Sequence, residues 1–277
     1  MAIRFPSDLA AIRKSYGFTT TNLFTTTNPK TLKNGTVSES PTLVLHLEPI
    51  TFGACPAAGS CAALCLNKAG NPVYLTNKLS RRQKRSHAFH YHRDAFLQLM
   101  VIEAARQRGK GYKGFRGNGT SDHAWERETV TIDTAVAEWV ERLSGTRLEP
   151  GTYTVVEALT RLGYEMYDYT KRIDRDFETA KRLGYHLTLS WGGKHDGTVF
   201  DVAERHGLNV AAPVYGVKRK AALPDTIEHN GVTYPVVDGD FTDFRIQDPG
   251  DRVYIVGLRL KRTPNQTEEL ARKFCIA

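Results

Sequence analysis

Three of the four cysteines in this chain, Cys55, Cys61 and Cys65, stand on one short stretch, and Cys275 stands alone near the end. Thiolates gathered on one loop are ligands for soft metals, and an iron–sulfur cluster held by three of them keeps one iron open for another ligand. Pro56 and Gly59 break regular structure between the thiols, so nearby backbone amides are left to hydrogen-bond sulfide. The expected site is therefore a metal or a [4Fe-4S] cluster on Cys55, Cys61 and Cys65. The alternative is that these are small apolar residues doing ordinary packing. Cys275 is expected to be buried or incidental, because chain ends are usually mobile.

The elements around this loop follow from periodicity. An apolar run at 43–47 reads as the strand that delivers it, and further strands are expected at 111–115, 164–169, 185–190, 208–214, 234–237 and 253–260. Residues 78–108 have the spacing of one long amphipathic helix, and 130–143 that of another. Thr154 and Glu157 form a capping box that opens a third. Basic–glycine junctions at Gly163, Gly184 and Gly207 read as helix C-caps, each followed by a strand. Strands separated by helices imply a parallel α/β sheet, expected as a (β/α) TIM-like barrel or partial barrel over residues 43–277. Residues 1–42, rich in Thr and Asn, read as an N-terminal β-hairpin extension turning at Asn34-Gly35.

In such folds the loops after the strands converge on one face, which carries the chemistry. The cysteine loop would lie there. So would Gly117, Asn118, Gly119, Thr120 and Ser121, whose amides suit a phosphate or carboxylate, together with Trp191 for a planar group and Arg259 for an anion. Asp122, Lys171, Asp238 and Asp240 are the candidate catalytic groups, the aspartates as proton carriers. Asp238 and Asp240 flank Gly239, a pattern that also makes a plain turn.

The net charge of +8 is compatible with an anionic substrate, with nucleic acid or with solubility alone. Residues 81–93 are the densest basic stretch, with Arg81, Arg82, Lys84, Arg85 and Arg93 interleaved with His87, His90 and His92. That stretch is either a phosphate-gripping surface or a solvated helix face. Apolar residues make up 40% of the chain without any run long enough to span a bilayer, and Met1 to Pro6 lack a signal-peptide pattern. A cytoplasmic protein with reduced thiols is expected.

The cysteine stretch, Asn118 to Asp122 followed by Trp125-Glu126, Tyr167 to Lys171, Tyr185 to Ser190, Val237 to Asp240 and Ile255 to Lys261 together resemble an actinobacteriophage and prophage family known as the gene product eighty-eight domain. The resemblance covers about residues 40–262 and implies a viral origin and expression in a bacterial cytoplasm, without naming an activity. A looser resemblance is to radical S-adenosylmethionine enzymes. It implies a cluster loop after the first strand and a cofactor-contacting segment at 117–122. The cysteine spacing departs from that pattern, with five and three intervening residues instead of three and two. The leading expectation is an iron–sulfur protein acting on a small ligand, with S-adenosylmethionine as candidate cofactor. The other is a nucleic-acid-binding or regulatory module with structural zinc or a sensing cluster, in which His46 or His90 would complete a zinc site. A metal-free structural protein is the third.

Overall fold

The computed structural model describes residues 5–19, 23–26, 40–68, 72–218, 220–261, 263 and 266–276. In chain order the helices are α1 (Ser7–Tyr16), α2 (Leu75–Tyr91), α3 (Arg93–Arg108), α4 (Thr134–Ser144), α5 (Val155–Arg161), α6 (Phe177–Arg182), α7 (Val199–His206) and α8 (Glu268–Phe274). The strands are β1 (Phe24–Thr25), β2 (Thr42–Leu45), β3 (Gly114–Arg116), β4 (Thr129–Ile132), β5 (Gly151–Thr154), β6 (Glu165–Thr170), β7 (Tyr185–Ser190), β8 (Val210–Val214), β9 (Thr226–His229), β10 (Val232–Asp238) and β11 (Ile255–Arg259).

Nine strands form one sheet in the order β1-β2-β3-β6-β7-β8-β11-β10-β9, and β4 with β5 makes a separate ribbon. From β2 to β10 every pairing is parallel, while β1 and β9 pair antiparallel at the two ends. The sequential order of β2, β3, β6, β7, β8 and β11 matters for the site. Crossovers between parallel neighbours are right-handed, so the helices lie on one face and the loops after the strands gather at one end.

Of the expected TIM-like barrel or partial barrel, the closed form is not what the described residues make. The antiparallel strands β1 and β9 occupy the two edges at which the parallel array would have to meet itself. The outcome is a mixed α/β protein built on an open, mostly parallel sheet.

Alternation along the strands sorts the two faces. Leu43, Leu45, Phe115, Met166, Leu187, Leu189, Val210 and Ala212 point to the helices and share one apolar cluster with Phe96, Leu99 and Met100 of α3. The side chains between them are more polar: Arg116, Tyr167, Tyr169, His186, Thr188 and Ser190 point the other way. Segment 241–248 covers part of that face, with Phe244 on Tyr167 at 5.4 Å and Asp243 on Arg116 at 2.7 Å.

Local signals held where they were strongest. Thr154 caps α5 by accepting from the amide of Glu157, and Gly163, Gly184 and Gly207 all take positive φ after their helices. Other expectations change. The long helix at 78–108 is broken at His92 (φ −135°, ψ 49°), giving α2 and α3. The segment 130–143 begins as strand β4, with Val130 and Ile132 buried on one side of the ribbon, and only then becomes α4. In the N-terminal extension β1 pairs antiparallel with β2, but the turn assigned to Asn34-Gly35 lies outside the described residues. The helix α1 was not foreseen; Leu9 and Ile12 from it, with Leu23 and Phe24, are buried in the main apolar cluster.

Candidate functional site at the cysteine loop

The loop carrying Cys55, Cys61 and Cys65 leaves the C-terminal end of β2 and is tied down by its neighbours. The amide of Asp122, beyond β3, donates to Ala54 O at 2.6 Å, and the Cys61 amide donates to Gly192 O, beyond β7, at 3.0 Å. Lys194 donates to Ala57 O through its amide and to Pro56 O through Nζ, at 3.1 and 2.9 Å. The backbones of Gly59 and Gly193 approach so closely that a Cβ on Gly59 would lie 2.3 Å from Gly193 O. All three thiols of the loop are free and half-buried. The Cys55 thiol faces Thr120 O at 3.7 Å, and Cys65 Sγ accepts from the Asn67 amide at 3.4 Å.

Burial pushes the Cys55 thiol up, with Asp122 and the other two cysteines adding to it and Lys171 opposing. Burial also raises Cys65, against the Asn67 amide, Arg82 and Lys171. Cys55 thus senses both of the other thiols and Cys65 senses Cys61, and Lys171 acts on both Cys55 and Cys65.

Lys171 follows β6 and donates from Nζ to Ser190 Oγ at the end of β7, 2.6 Å away. Its amide donates to Asp122 Oδ2 at 2.8 Å, and Asp122 Oδ1 accepts from Thr170 Oγ1 at 2.7 Å. Burial raises the Asp122 carboxyl, with Arg175 pulling the other way from 3.6 Å. Asp122 and Lys171, predicted as catalytic groups, are therefore brought together with the cysteine loop.

The segment 117–122 is also placed there, by a residue that the sequence reading did not single out. Asp168 on β6 is fully buried and accepts from the Gly117 and Asn118 amides, both at 2.9 Å, and from Tyr185 OH at 2.7 Å. Burial lifts its carboxyl from the ordinary 3.8 to about 7, against Arg116 and these donors. Two of the expected cofactor-facing amides are thereby taken. Asn118 itself is buried and bonds His123, Ser121 and Trp125. Thr120 donates to Leu47 O at 2.6 Å. Gly119 is packed so tightly that a Cβ would lie 2.5 Å from His46 Nδ1. The segment is a scaffold for the cysteine loop as much as a ligand surface.

The remaining predicted groups are engaged elsewhere. Asp238 and Asp240 both pair with Arg259, at 2.9 and 3.4 Å, and this clamp sits where β10 and β11 end. The Arg259 bond holds the Asp238 carboxyl below its ordinary range, which suits a standing ion pair and not a proton carrier. Trp191 packs against His229 and Phe200, at 5.2 and 6.2 Å, in aromatic packing. A cleft of about 670 Å³ opens by the ends of β8 and β11, lined by Tyr215, Lys218, Thr263, Gln266 and Glu268. A smaller one of about 110 Å³ lies behind Ala54, between Ser86, His90, Arg93 and His123.

The basic stretch 81–93 is divided by the helix. Arg82 and Arg85 are buried, each 7% exposed, and point into the protein. Arg93 is bidentate to Glu128 at 2.9 and 2.7 Å. What faces outward includes Arg81, Lys84, His87, His90 and Tyr91, so the expected phosphate-gripping surface keeps only part of its charge. Cys275 is buried as expected, but its end of the chain is held: Ile276 bridges to Val214 in β8, and Phe274 packs on Gly192.

Among the described residues no three His, Cys, Asp or Glu side chains stand close enough together to hold a single metal ion. A preformed zinc cage with His46 or His90 is therefore absent from them. His90 lies instead 5.0 Å from the ring of Phe52. Cys55, Cys61 and Cys65 are the residues of this loop that could serve as thiolate ligands, and a cluster would need its cysteine ligands wider apart than a single ion does.

Fold and site together define an α/β protein with a free three-thiol loop at the C-terminal end of a sequentially wound parallel array. The chain matches the family described as Gene product 88 over residues 18–277 and belongs to it. That match extends beyond 40–262 in both directions, taking in β1 and α8. No curated protein and no solved structure matches. Among the described residues no helix is long and apolar enough to cross a membrane.

Proposed function

We propose that this chain is an iron–sulfur protein in which Cys55, Cys61 and Cys65 hold a [4Fe-4S] cluster beside a site for a small ligand, working in the cytoplasm of a bacterial host. The observation that supports it most is the loop itself. Three free thiols on one segment are held by main-chain hydrogen bonds to the loops that follow β3 and β7. A partial-barrel curl of the sequentially ordered strands would bring the other strand-end loops toward the same centre.

When bound, such a cluster supplies an open iron that holds a ligand's polar groups and, when reduced, an electron; S-adenosylmethionine is the first ligand to try. The residues of the chain prepare the place. Lys171, anchored on Ser190, sets a positive charge beside Cys55 and Cys65, which favours their thiolates. Asp122 carries a carboxyl raised by burial, as a proton-holding group near the loop requires. Asp168 holds Gly117 and Asn118, and through them the loop against which Cys55 rests.

The test is anaerobic reconstitution, with iron and sulfide counted and electron paramagnetic resonance recorded on the reduced protein with and without S-adenosylmethionine. About four irons and four sulfides per chain are expected, lost when the three cysteines are changed to serine. A signal that shifts with S-adenosylmethionine supports ligation to the open iron; one that does not shift points to a sensing role or another ligand. Iron binding that survives the triple serine variant would falsify the assignment.

A further inference from the structure

From Pro49 to Arg93 the chain has no Asp or Glu, although it carries 30 of them in 277 residues. Arg82 and Arg85 from this stretch are turned inward, so the character of the surface rests on what α2 leaves outside. Starting at Tyr74, the residue before α2, positions 77, 81, 84, 87 and 91 follow at intervals of three or four residues, along about 25 Å of helix. They are Asn77, Arg81, Lys84, His87 and Tyr91. All of them are exposed.

The rings on this side form a continuous group. His87 and His90 lie 4.3 and 4.7 Å from the Tyr91 ring, and Phe52, on the loop that leads to Cys55, lies 5.0 Å from His90. Tyr91 is 59% exposed and Tyr74 67%, so an aromatic ring at each end presents apolar area that a partner would gain by covering. Arg81 and Lys84 stand between those two rings. Asn77 and Gln83 interrupt the face, which makes it a poor apolar seam for another helix. Rings separated by cations match a polyanion whose charges are separated by planar groups.

We propose that the outward side of α2 binds a single strand of nucleic acid, with Arg81 and Lys84 on its phosphates and Tyr74 and Tyr91 against its bases. Every base has a π-face, so such binding tolerates sequence. A duplex keeps its bases stacked on one another and offers this face only its phosphates. The surface uses neither iron nor the three thiols, so it goes beyond the cluster reading and stands or falls separately from it.

The experiment titrates the full chain into a fluorescein-labelled oligothymidylate at salt concentrations from about 50 to 200 mM and follows anisotropy. Oligothymidylate serves as the probe because phosphates and base planes are common to DNA and RNA. Saturable binding is expected, weakening as salt rises. Tyr91→Ala should weaken it about tenfold, as loss of one stacked base does, while Tyr91→Phe keeps the ring and should stay within about twofold of the parent. Arg81→Gln and Lys84→Gln should each lower the slope of log affinity against log salt by about 0.7, and Lys181→Gln, exposed on α6, should leave affinity and slope unchanged. Unlabelled duplex should compete less well than unlabelled single strand. Should Tyr91→Ala not fold, Tyr74→Ala takes its place. The proposal is overturned if no saturable binding is seen at low salt, or if the folded tyrosine, Arg81 and Lys84 variants bind as the parent does. Competition by polyglutamate as strong as by the strand, with the tyrosine variant unchanged, would assign the face to an acidic peptide and overturn it equally. Binding should persist in the triple serine variant, whose iron and sulfide counts report on the cluster independently.

Discussion

The Cys61 amide donates to the Gly192 carbonyl at 3.0 Å, so a thiol-bearing residue beyond the first parallel strand is positioned by the loop beyond the fourth. That distance is reached because Gly59 and Gly193 touch without side chains between them, and because Gly192 takes a φ of 89° under the ring of Phe274.

Replacing Gly59 by valine should therefore lift the cysteine loop off β7 while leaving the sheet intact. The expected result is at least a several-fold faster reaction of the loop thiols with a disulfide reagent and a stability change within about 2 kcal/mol. Unchanged thiol kinetics would show that the loop is not held by this contact.

Asp168 offers a second handle. Its Oδ2 accepts from the Gly117 amide and Tyr185 OH, and Oδ1 from the Asn118 amide, so both oxygens are in use. Asp168→Asn turns one acceptor into a donor facing another donor, which should cost about 1–3 kcal/mol in chemical denaturation. The same variant should expose the thiols, since segment 117–122 backs the loop. An asparagine variant as stable as the parent would remove Asp168 from this role.

Glu126 and Arg175 form a bidentate pair at 2.8 and 2.6 Å with neither side chain exposed. Glu126→Ala leaves a buried guanidinium whose remaining carboxylate partner among the described residues is Asp122 at 3.6 Å, and a loss of about 3–5 kcal/mol is expected. The double change to leucine and methionine should lose much less. Equal losses in the single and double variants, measured by denaturation, would contradict this.

Burial raises Glu103 from the ordinary 4.5 to about 8, against Arg13 and Arg106. The folded chain then holds a proton that the unfolded chain releases, so this group lowers stability progressively as pH rises from about 4.5 to about 8. Glu103→Gln should flatten that part of the pH–stability curve and leave the protein relatively more stable at pH 8 than the parent. Parallel curves for the two proteins would mean that Glu103 is ionised at its ordinary pKa.

Much of the architecture was legible because its causes are local. Helix ends at Gly163, Gly184 and Gly207 need a residue that tolerates positive φ, and the strands that follow them are short apolar runs; both can be read one stretch at a time. Ribbon strand β4 was not legible, since Val130 and Ile132 fit a helical stripe and an alternating strand equally well. The edge strand β9 was missed too, because its place depends on pairing with β10.

By itself the sequence determined the chemistry available: three thiols on one loop, an adjoining Gly-Asn-Gly segment, a cationic helix, and a family match across 18–277. Only the tertiary structure decided how those groups are used. It turned Arg82 and Arg85 inward, drew Asp238 and Asp240 onto Arg259, and made Asp168 the support of segment 117–122. The reason is physical. Residue type sets which charges and donors exist, but their partners come from segments tens of residues away, and burial then decides which of them must be paired.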